Sequence, residues 1–287
     1  MGVRHTAVET AHLQSKAGNL IFMGRVLKRV AAIAGLTTLG LVAFYRWQPQ
    51  RYQFRERPTP DDNPAIDPAS EFLFSEDSSI VVVIAHPDDA EFYLGGTLAR
   101  LKEYGARIAL IVTTDGDKGY YPMVNAEKNR SLRKREQVES ALLYGCEEVI
   151  FLGGRDGRLK KDSNLVRQIR DFIESFGAQY VFSFDPLYPP KVQHSDHLRT
   201  GEATAEAVKD LEDVEWLVQF STSAANFAVD ITDSWSEKRR LLAVHKSQFH
   251  GRKQRFIEDM LRNRAAQDGA LAGVPLAEAF RVVRKQR

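Results

Sequence analysis

Cysteine is nearly missing: Cys146 is the one thiol in 287 residues. That excludes an internal disulfide and a cysteine-rich zinc module. The thiol sits in Leu142-Leu143-Tyr144-Gly145-Cys146, a helix-end context, and reads as a small buried apolar residue. An excess of charge of one sign is missing too. Lys and Arg number 40 against 38 Asp and Glu, so the basic surplus that marks a nucleic-acid binder is absent. No internal repeat is visible. Histidine is scarce at seven residues, yet His194 and His197 fall within four positions of each other.

Uncharged runs are rare, and the one that stands out covers residues 30–45. With Trp47 it reaches about the minimum length for a bilayer span, roughly 17 residues. Arg25, Lys28 and Arg29 precede it, and Tyr45, Arg46, Trp47 and Arg51 follow as interfacial anchors would. The run has no polar face, unlike a helix on a soluble domain. No small-x-small cleavage site precedes the aromatic and basic residues. Residues 25–47 therefore read as a single-pass transmembrane signal anchor, with the membrane as a partner. The flanking charges nearly balance, and a long C-terminal domain can translocate regardless of its own charge. The expectation is that this domain lies on the extracytoplasmic side.

Residues 1–24 are polar and patternless. Residues 48–77 carry Pro49, Pro58, Pro60, Pro64 and Pro68 among many charges, which reads as an extended linker. Residues 78–287 form the globular domain, about the length of one α/β unit. Strands are expected at 80–85, 107–113, 148–152, 180–184, 214–220 and 227–231. Helices are expected at 94–104, 126–144, 164–176, 198–209 and 235–246. Gly105, Gly145 and Gly177 fall at helix ends, where a left-handed residue closes the helix. Alternating helices and nearly all-apolar strands predict an α/β fold with a Rossmann-like, doubly wound, mostly parallel sheet. The basic stretches 252–264 and 281–287 read as a solvated helix face.

The chemistry concentrates at Ala85-His86-Pro87-Asp88-Asp89-Ala90-Glu91. One imidazole and three carboxylates crowd the C-terminal end of the first strand, the edge where open α/β sheets bind ligands. Three like charges in one turn repel unless a cation sits among them, and His with Asp suits zinc. A further ligand must come from elsewhere in the chain. His194-Ser195-Asp196-His197 follows the strand at 180–184 and a Pro-rich loop at 185–190, so a parallel sheet brings it to the same edge.

These residues resemble the PIG-L (LmbE-like) family of zinc-dependent N-acetylglucosaminyl deacetylases. Its A-H-P-D-D-x-E motif appears at residues 85–91 and its H-x-D-H motif at 194–197. Lesser matches run in order through Thr113-Thr114-Asp115-Gly116, Arg133-Lys134-Arg135-Glu136, Phe151-Leu152-Gly153-Gly154-Arg155-Asp156-Gly157, His245-Lys246-Ser247-Gln248 and Ala277-Glu278-Ala279-Phe280-Arg281. The resemblance implies that His86, Asp89 and His197 ligate Zn2+ and leave a coordination position open. Asp88 is then the general base, His194 stabilises the oxyanion, and Asp196 orients a histidine. The implied reaction removes an acetyl group from an N-acetylglucosamine-containing small molecule or glycoconjugate; a non-sugar acyl amide is the alternative. The sequence sets neither the substrate within that class nor the oligomeric state.

Several residues carry a structural reading beside the functional one. The Asp88-Asp89 pair also suits a helix cap. Glu91 is either a support for the site or an acid favoured at a helix N-terminus. Arg133 and Glu136 are expected to pair with each other. Asp156 is either a sugar contact or part of an ordinary Asp-Gly turn. His245 is read as structural. Thr114, Asp115 and Gly116 are expected to line the pocket, with Tyr120-Tyr121-Pro122 near its edge. An extra tyrosine oxyanion donor would have to come from Tyr188 or be absent. A phosphoacceptor receiver domain also pairs acids after its first strand, but it needs an acceptor Asp where Phe151-Leu152-Gly153 stands here. A metal-binding scaffold without turnover is disfavoured by the presence of every expected ligand and the base.

Overall fold

The structure is a computed structural model that describes residues 52–54, 77–119 and 125–284. The expected anchor at 25–47, the segment 1–24 and the loop residues Tyr120, Tyr121 and Pro122 lie outside these. Among the described residues no helix is long and apolar enough to cross a membrane.

The strands are β1 (Tyr52–Phe54), β2 (Ser79–Ile84), β3 (Arg107–Thr114), β4 (Cys146–Gly154), β5 (Tyr180–Phe184), β6 (Val192–His194), β7 (Trp216–Phe220), β8 (Phe227–Asp230) and β9 (Ala277–Arg284). The helices are α1 (Asp89–Glu103), α2 (Ala126–Leu143), α3 (Ser163–Phe176), α4 (Ser195–Ala207), α5 (Trp235–Val244) and α6 (Gly251–Ala272). Seven strands form one sheet in the order β4-β3-β2-β5-β7-β9-β8. The first five are parallel, and β9 runs antiparallel to both of its neighbours.

The side chains of β2 alternate between two apolar layers. Ile80, Val82 and Ile84 pack with Leu94 and Leu98 of α1, Leu241 and Leu242 of α5, and Leu261 of α6. Val81 and Val83 pack on the other face with Leu165, Ile169 and Ile173 of α3 and Ala203 and Ala207 of α4. Each such aliphatic side chain contributes about 1.5–3 kcal/mol by leaving water. Both faces are covered, so the near-continuous β-branched run of β2 has no solvent side. The expected doubly wound, mostly parallel sheet is what forms.

Strand order reverses on either side of β2: the chain proceeds to β3 and β4 on one side and to β5 and β7 on the other. The crevice between the C-terminal ends of β2 and β5 is the topological switch point where such sheets bind ligands. Residues 85–91 leave β2 at that place, and residues 185–197 leave β5 beside it.

Two departures from expectation follow from contacts that a local pattern does not contain. The stretch 281–287 was expected to be a solvated helix face, but Ala277–Arg284 forms β9, inserted between β7 and β8. Phe280 is fully buried there, and Glu278 accepts the backbone N–H groups of Gly96 (3.1 Å) and Thr97 (2.8 Å). Within the expected linker, Tyr52–Phe54 pairs antiparallel with β6, with Tyr52 opposite His194. Gly105, Gly145 and Gly177 do take positive φ, at 75°, 75° and 68°. Cys146 is buried, and burial pushes its thiol up to about 12.

Candidate functional site

The backbone between β2 and α1 is built to present acids. Asp88 has φ of 116°, a region that a non-glycine residue enters only when its surroundings enforce it. Its N–H donates to Oε1 of Gln137 at 2.8 Å. Although Asp88 occupies the N-cap position of α1, its side chain makes no cap hydrogen bond. The carboxylate goes instead to the guanidinium of Arg133, at 3.1 Å. That guanidinium also donates to the carbonyls of Gly116 (2.8 Å) and Pro87 (2.5 Å), clamping the turn. A Cβ on Gly116 would collide with Arg133, and its φ of +60° suits glycine. Asp89 is fixed through Oδ2, which accepts from the backbone N–H of His86 at 2.8 Å.

The second motif arrives on α4. A Cβ on Gly201 would strike the carbonyl of Phe184, so the helix can lie directly against the end of β5. That approach stacks the His197 ring on Phe184, with centroids 4.1 Å apart and planes 11° from parallel. Tyr93 meets the same imidazole edge-on at 5.9 Å.

Three expected ligands converge. His86 Nδ1 lies 3.2 Å from His197 Nε2 and 3.4 Å from Asp89 Oδ2, and His197 Nε2 lies 3.2 Å from Asp89 Oδ1. Donors around a tetrahedral zinc at bond lengths of about 2.0–2.2 Å stand roughly 3.3 Å apart. The set therefore fits the ion in spacing and in chemistry, with two imidazoles and one carboxylate. The opposite nitrogen of His86, Nε2, faces Asp196 Oδ2 at 3.2 Å and Asp156 Oδ1 at 3.6 Å. This is the carboxylate–histidine arrangement that leaves the other ring nitrogen for a metal. It also answers which histidine Asp196 serves. His86, His194 and His197 also bring ligand atoms within 4.8 Å of one another, and so does a grouping of His86, Asp156, His194 and Asp196. In that last grouping Asp196 accepts from the N–H groups of Gly157 (2.6 Å) and Leu159 (3.1 Å) and Asp156 from that of Lys118 (3.1 Å), as Asp89 does from that of His86 (2.8 Å).

His194 caps α4, its Nδ1 accepting from the N–H of Asp196 at 3.2 Å. That bond places the ring proton of the neutral form on Nε2. Burial, with His86 and His197 beside it, lowers the His194 pKa to about 3, so the ring stays neutral. Burial acts to lower the pKa of His86 too, but Asp156, Asp196 and Asp89 outweigh it and hold the imidazole well above its ordinary range. Burial would raise Asp89, but His197 and His86 draw it well below the carboxylate range. Asp88 is raised, chiefly by burial, against the opposing pull of Arg133.

The remaining expectations divide. Arg133 and Glu136 do not form their own pair. Arg133 goes to Asp88, while Glu136 accepts from the N–H (2.8 Å) and the hydroxyl (2.5 Å) of Ser247. Glu91 is fully buried, accepts from Gln137 Nε2 at 2.8 Å and lies 3.1 Å from His245 Nε2, so it supports the turn from behind. The His245–Glu91 contact is electrostatic, without hydrogen-bond alignment. Asp156 is buried behind His86. Thr114 is buried and donates to Ala85 O at 2.7 Å, and Asp115 pairs with Arg130 (2.9 Å) and Lys134 (2.7 Å). The Tyr188 ring lies under the guanidinium of Arg281, 5.1 Å away. Gln137 was not foreseen. Its signal was a polar stripe along α2, where Asn129, Arg133, Glu136, Gln137 and Ser140 are all buried.

Comparison with known proteins agrees with this arrangement. Residues 81–208 match the PIG-L family profile, described as GlcNAc-PI de-N-acetylase. The diacetylchitobiose deacetylase of Thermococcus kodakarensis is 26% identical over 227 residues, 73% of this chain and 85% of that protein. A probable N-acetyl-alpha-D-glucosaminyl L-malate deacetylase 2 of Bacillus anthracis is 25% identical over 59% of this chain and 81% of its own length. Among solved structures, the N,N'-diacetylchitobiose deacetylase of Pyrococcus horikoshii, complexed with an inhibitor, superposes with a TM-score of 0.68. Its identity is 26%, covering 72% of this chain and 84% of that one. The resemblance read from the sequence is borne out.

Proposed function

We propose that this chain, whose residues 81–208 carry the PIG-L match, is a zinc-dependent hydrolase. It removes the acetyl group from an N-acetylglucosamine-containing substrate. The relatives support the reaction class, since those named above are deacetylases of N-acetylated sugars by their descriptions. The observation that carries the reading is the mutual approach of His86 Nδ1, Asp89 and His197 Nε2 at 3.2–3.4 Å.

His86, Asp89 and His197 would hold the zinc. Bound there, zinc would supply Lewis acidity, lowering the pKa of the attacking water and polarising the amide carbonyl. Asp88 takes the proton from that water and returns it to the leaving nitrogen. Its raised pKa brings it nearer to the range where a carboxylate can do both. Arg133 holds Asp88 in place and keeps enough positive charge beside it for the carboxylate form to exist. His194 donates through Nε2–H to the developing oxyanion; a neutral imidazole suits this task because it gives no proton away. Asp196 holds the His86 ring so that Nδ1 faces the metal position.

The test is acetate release from N-acetylglucosamine conjugates by purified protein, with metal content measured by mass spectrometry. Bound zinc with acetate release that a chelator abolishes and zinc restores is the expected result. Bound zinc with release from no sugar, but from a non-sugar acyl amide, would transfer the reading to an amidase. Protein that binds no zinc would sink the proposed site.

A further inference from the structure

A cavity of about 460 Å³ adjoins the site. His194 and His197 line it, together with Phe92, Tyr93, Phe220 and Leu261. An acetyl methyl, close in size to a water molecule at roughly 30 Å³, would leave it almost empty. The charged groups on its lining, Lys238 with Glu278 and Arg264 with Asp268, are paired with each other, at 2.5 Å and 2.9 Å. They neutralise one another and give the cavity no net charge. Gln193 differs. It lines the cavity, is buried, and neither atom of its carboxamide has a hydrogen-bond partner. A buried amide left unsatisfied is costly unless a ligand meets it, and another amide offers the matching acceptor and donor.

The direction of the cavity says which part of a substrate enters it. In the reading proposed above, on which this inference rests, Asp88 returns a proton to the leaving nitrogen, so the sugar lies on the Asp88 side. There the groups are polar: Arg133 beside Asp88, and Asp115 with Arg130 and Lys134. The cavity touches His194 and His197, the carbonyl side, and is walled by aromatic and aliphatic carbon. We propose that this cavity receives the acyl group, and that the chain hydrolyses N-acyl sugars whose acyl chain is longer than acetyl. The balance is that of any amide hydrolysis. The C–N bond breaks, the water oxygen ends in the released carboxylate, and the proton taken by Asp88 ends on the sugar amine. Gln193 supplies a polar group on the cavity lining, and the apolar walls take the chain.

The full chain, loaded with zinc, is assayed for release of free amine from N-acetyl-, N-butanoyl- and N-octanoylglucosamine, and from octyl N-acetylglucosaminide. The octanoyl amide is expected to exceed the acetyl amide in kcat/KM by at least ~10-fold, as apolar pockets discriminate per methylene. Met260, at the cavity wall and 40% exposed, can accept a bulkier side chain without entering the core. Met260→Trp is expected to lower the octanoyl-to-acetyl ratio. Acetyl hydrolysis with no gain for octanoyl overturns the acyl cavity and leaves the deacetylase reading standing. A gain for the octyl glycoside but not for the octanoyl amide overturns it in favour of an aglycone site. An octanoyl preference that Met260→Trp leaves unchanged also overturns it, because the chain then binds elsewhere. Failure to cleave any of these amides overturns both readings.

Discussion

Asp196 Oδ2 and His86 Nε2 meet at 3.2 Å across 110 residues of sequence. The carboxylate has no solvent exposure and is held from behind by the N–H groups of Gly157 and Leu159. In the proposed reading its task is to orient the imidazole. Asp196→Asn keeps the size and one acceptor oxygen but loses the charge. Zinc affinity, measured by competition with a chromophoric chelator, is expected to fall by about 10–100-fold. Unchanged affinity would mean that His86 is not a ligand, or that its orientation does not depend on Asp196.

Arg133 links three parts of the site: the Asp88 carboxylate, the Pro87 carbonyl and the Gly116 carbonyl. Arg133→Met preserves much of the side-chain volume while releasing the turn. A drop in kcat of roughly 100-fold is expected from misplacement of the base, with zinc content unchanged. Loss of zinc along with activity would show that Arg133 holds the whole loop rather than Asp88.

His245 and Glu91 form a buried pair behind the turn, 3.1 Å apart. Burial acts to lower the pKa of His245, but Glu91 and then Asp88 outweigh it, and the result is a raised value. The folded state therefore binds this proton more tightly than the unfolded chain does. The resulting stability is fully present below about pH 6.5, the unfolded value, and is lost as pH rises through the raised folded value. Urea denaturation of chelator-treated protein should show the destabilisation by His245→Gln shrinking as pH rises above about 6.5. A penalty that grows with pH would contradict the assignment.

The elements legible in the sequence were those with a local cause. The β-branched run from Ile80 to Ile84 reads as a buried strand, and the glycines at 105, 145 and 177 end helices because they can take positive φ. The two motifs at 85–91 and 194–197 were legible as a pair because parallel strands end on one edge. What was not legible depends on contacts across the fold. The stretch 281–287 looks like a charged tail, but Arg281 donates to the buried Asp185 just past the end of β5, 2.7 Å away. Arg133 and Glu136 look like an ion pair at helical spacing. Acceptors at Pro87, Asp88 and Gly116 take the arginine, and the N–H and hydroxyl of Ser247 donate to the glutamate instead. Asp196 lies two residues from His194 and one from His197, yet the ring it faces is that of His86, which only the folded sheet reveals.

The central claim is that Asp88 is the general base beside a metal that it does not itself hold. The most direct test is the turnover of Asp88→Asn on an N-acetylglucosamine conjugate, with zinc measured in the same preparation. The account predicts zinc content equal to that of the unmodified chain and kcat lowered by about 10²–10⁴-fold. Full zinc with undiminished kcat would contradict it.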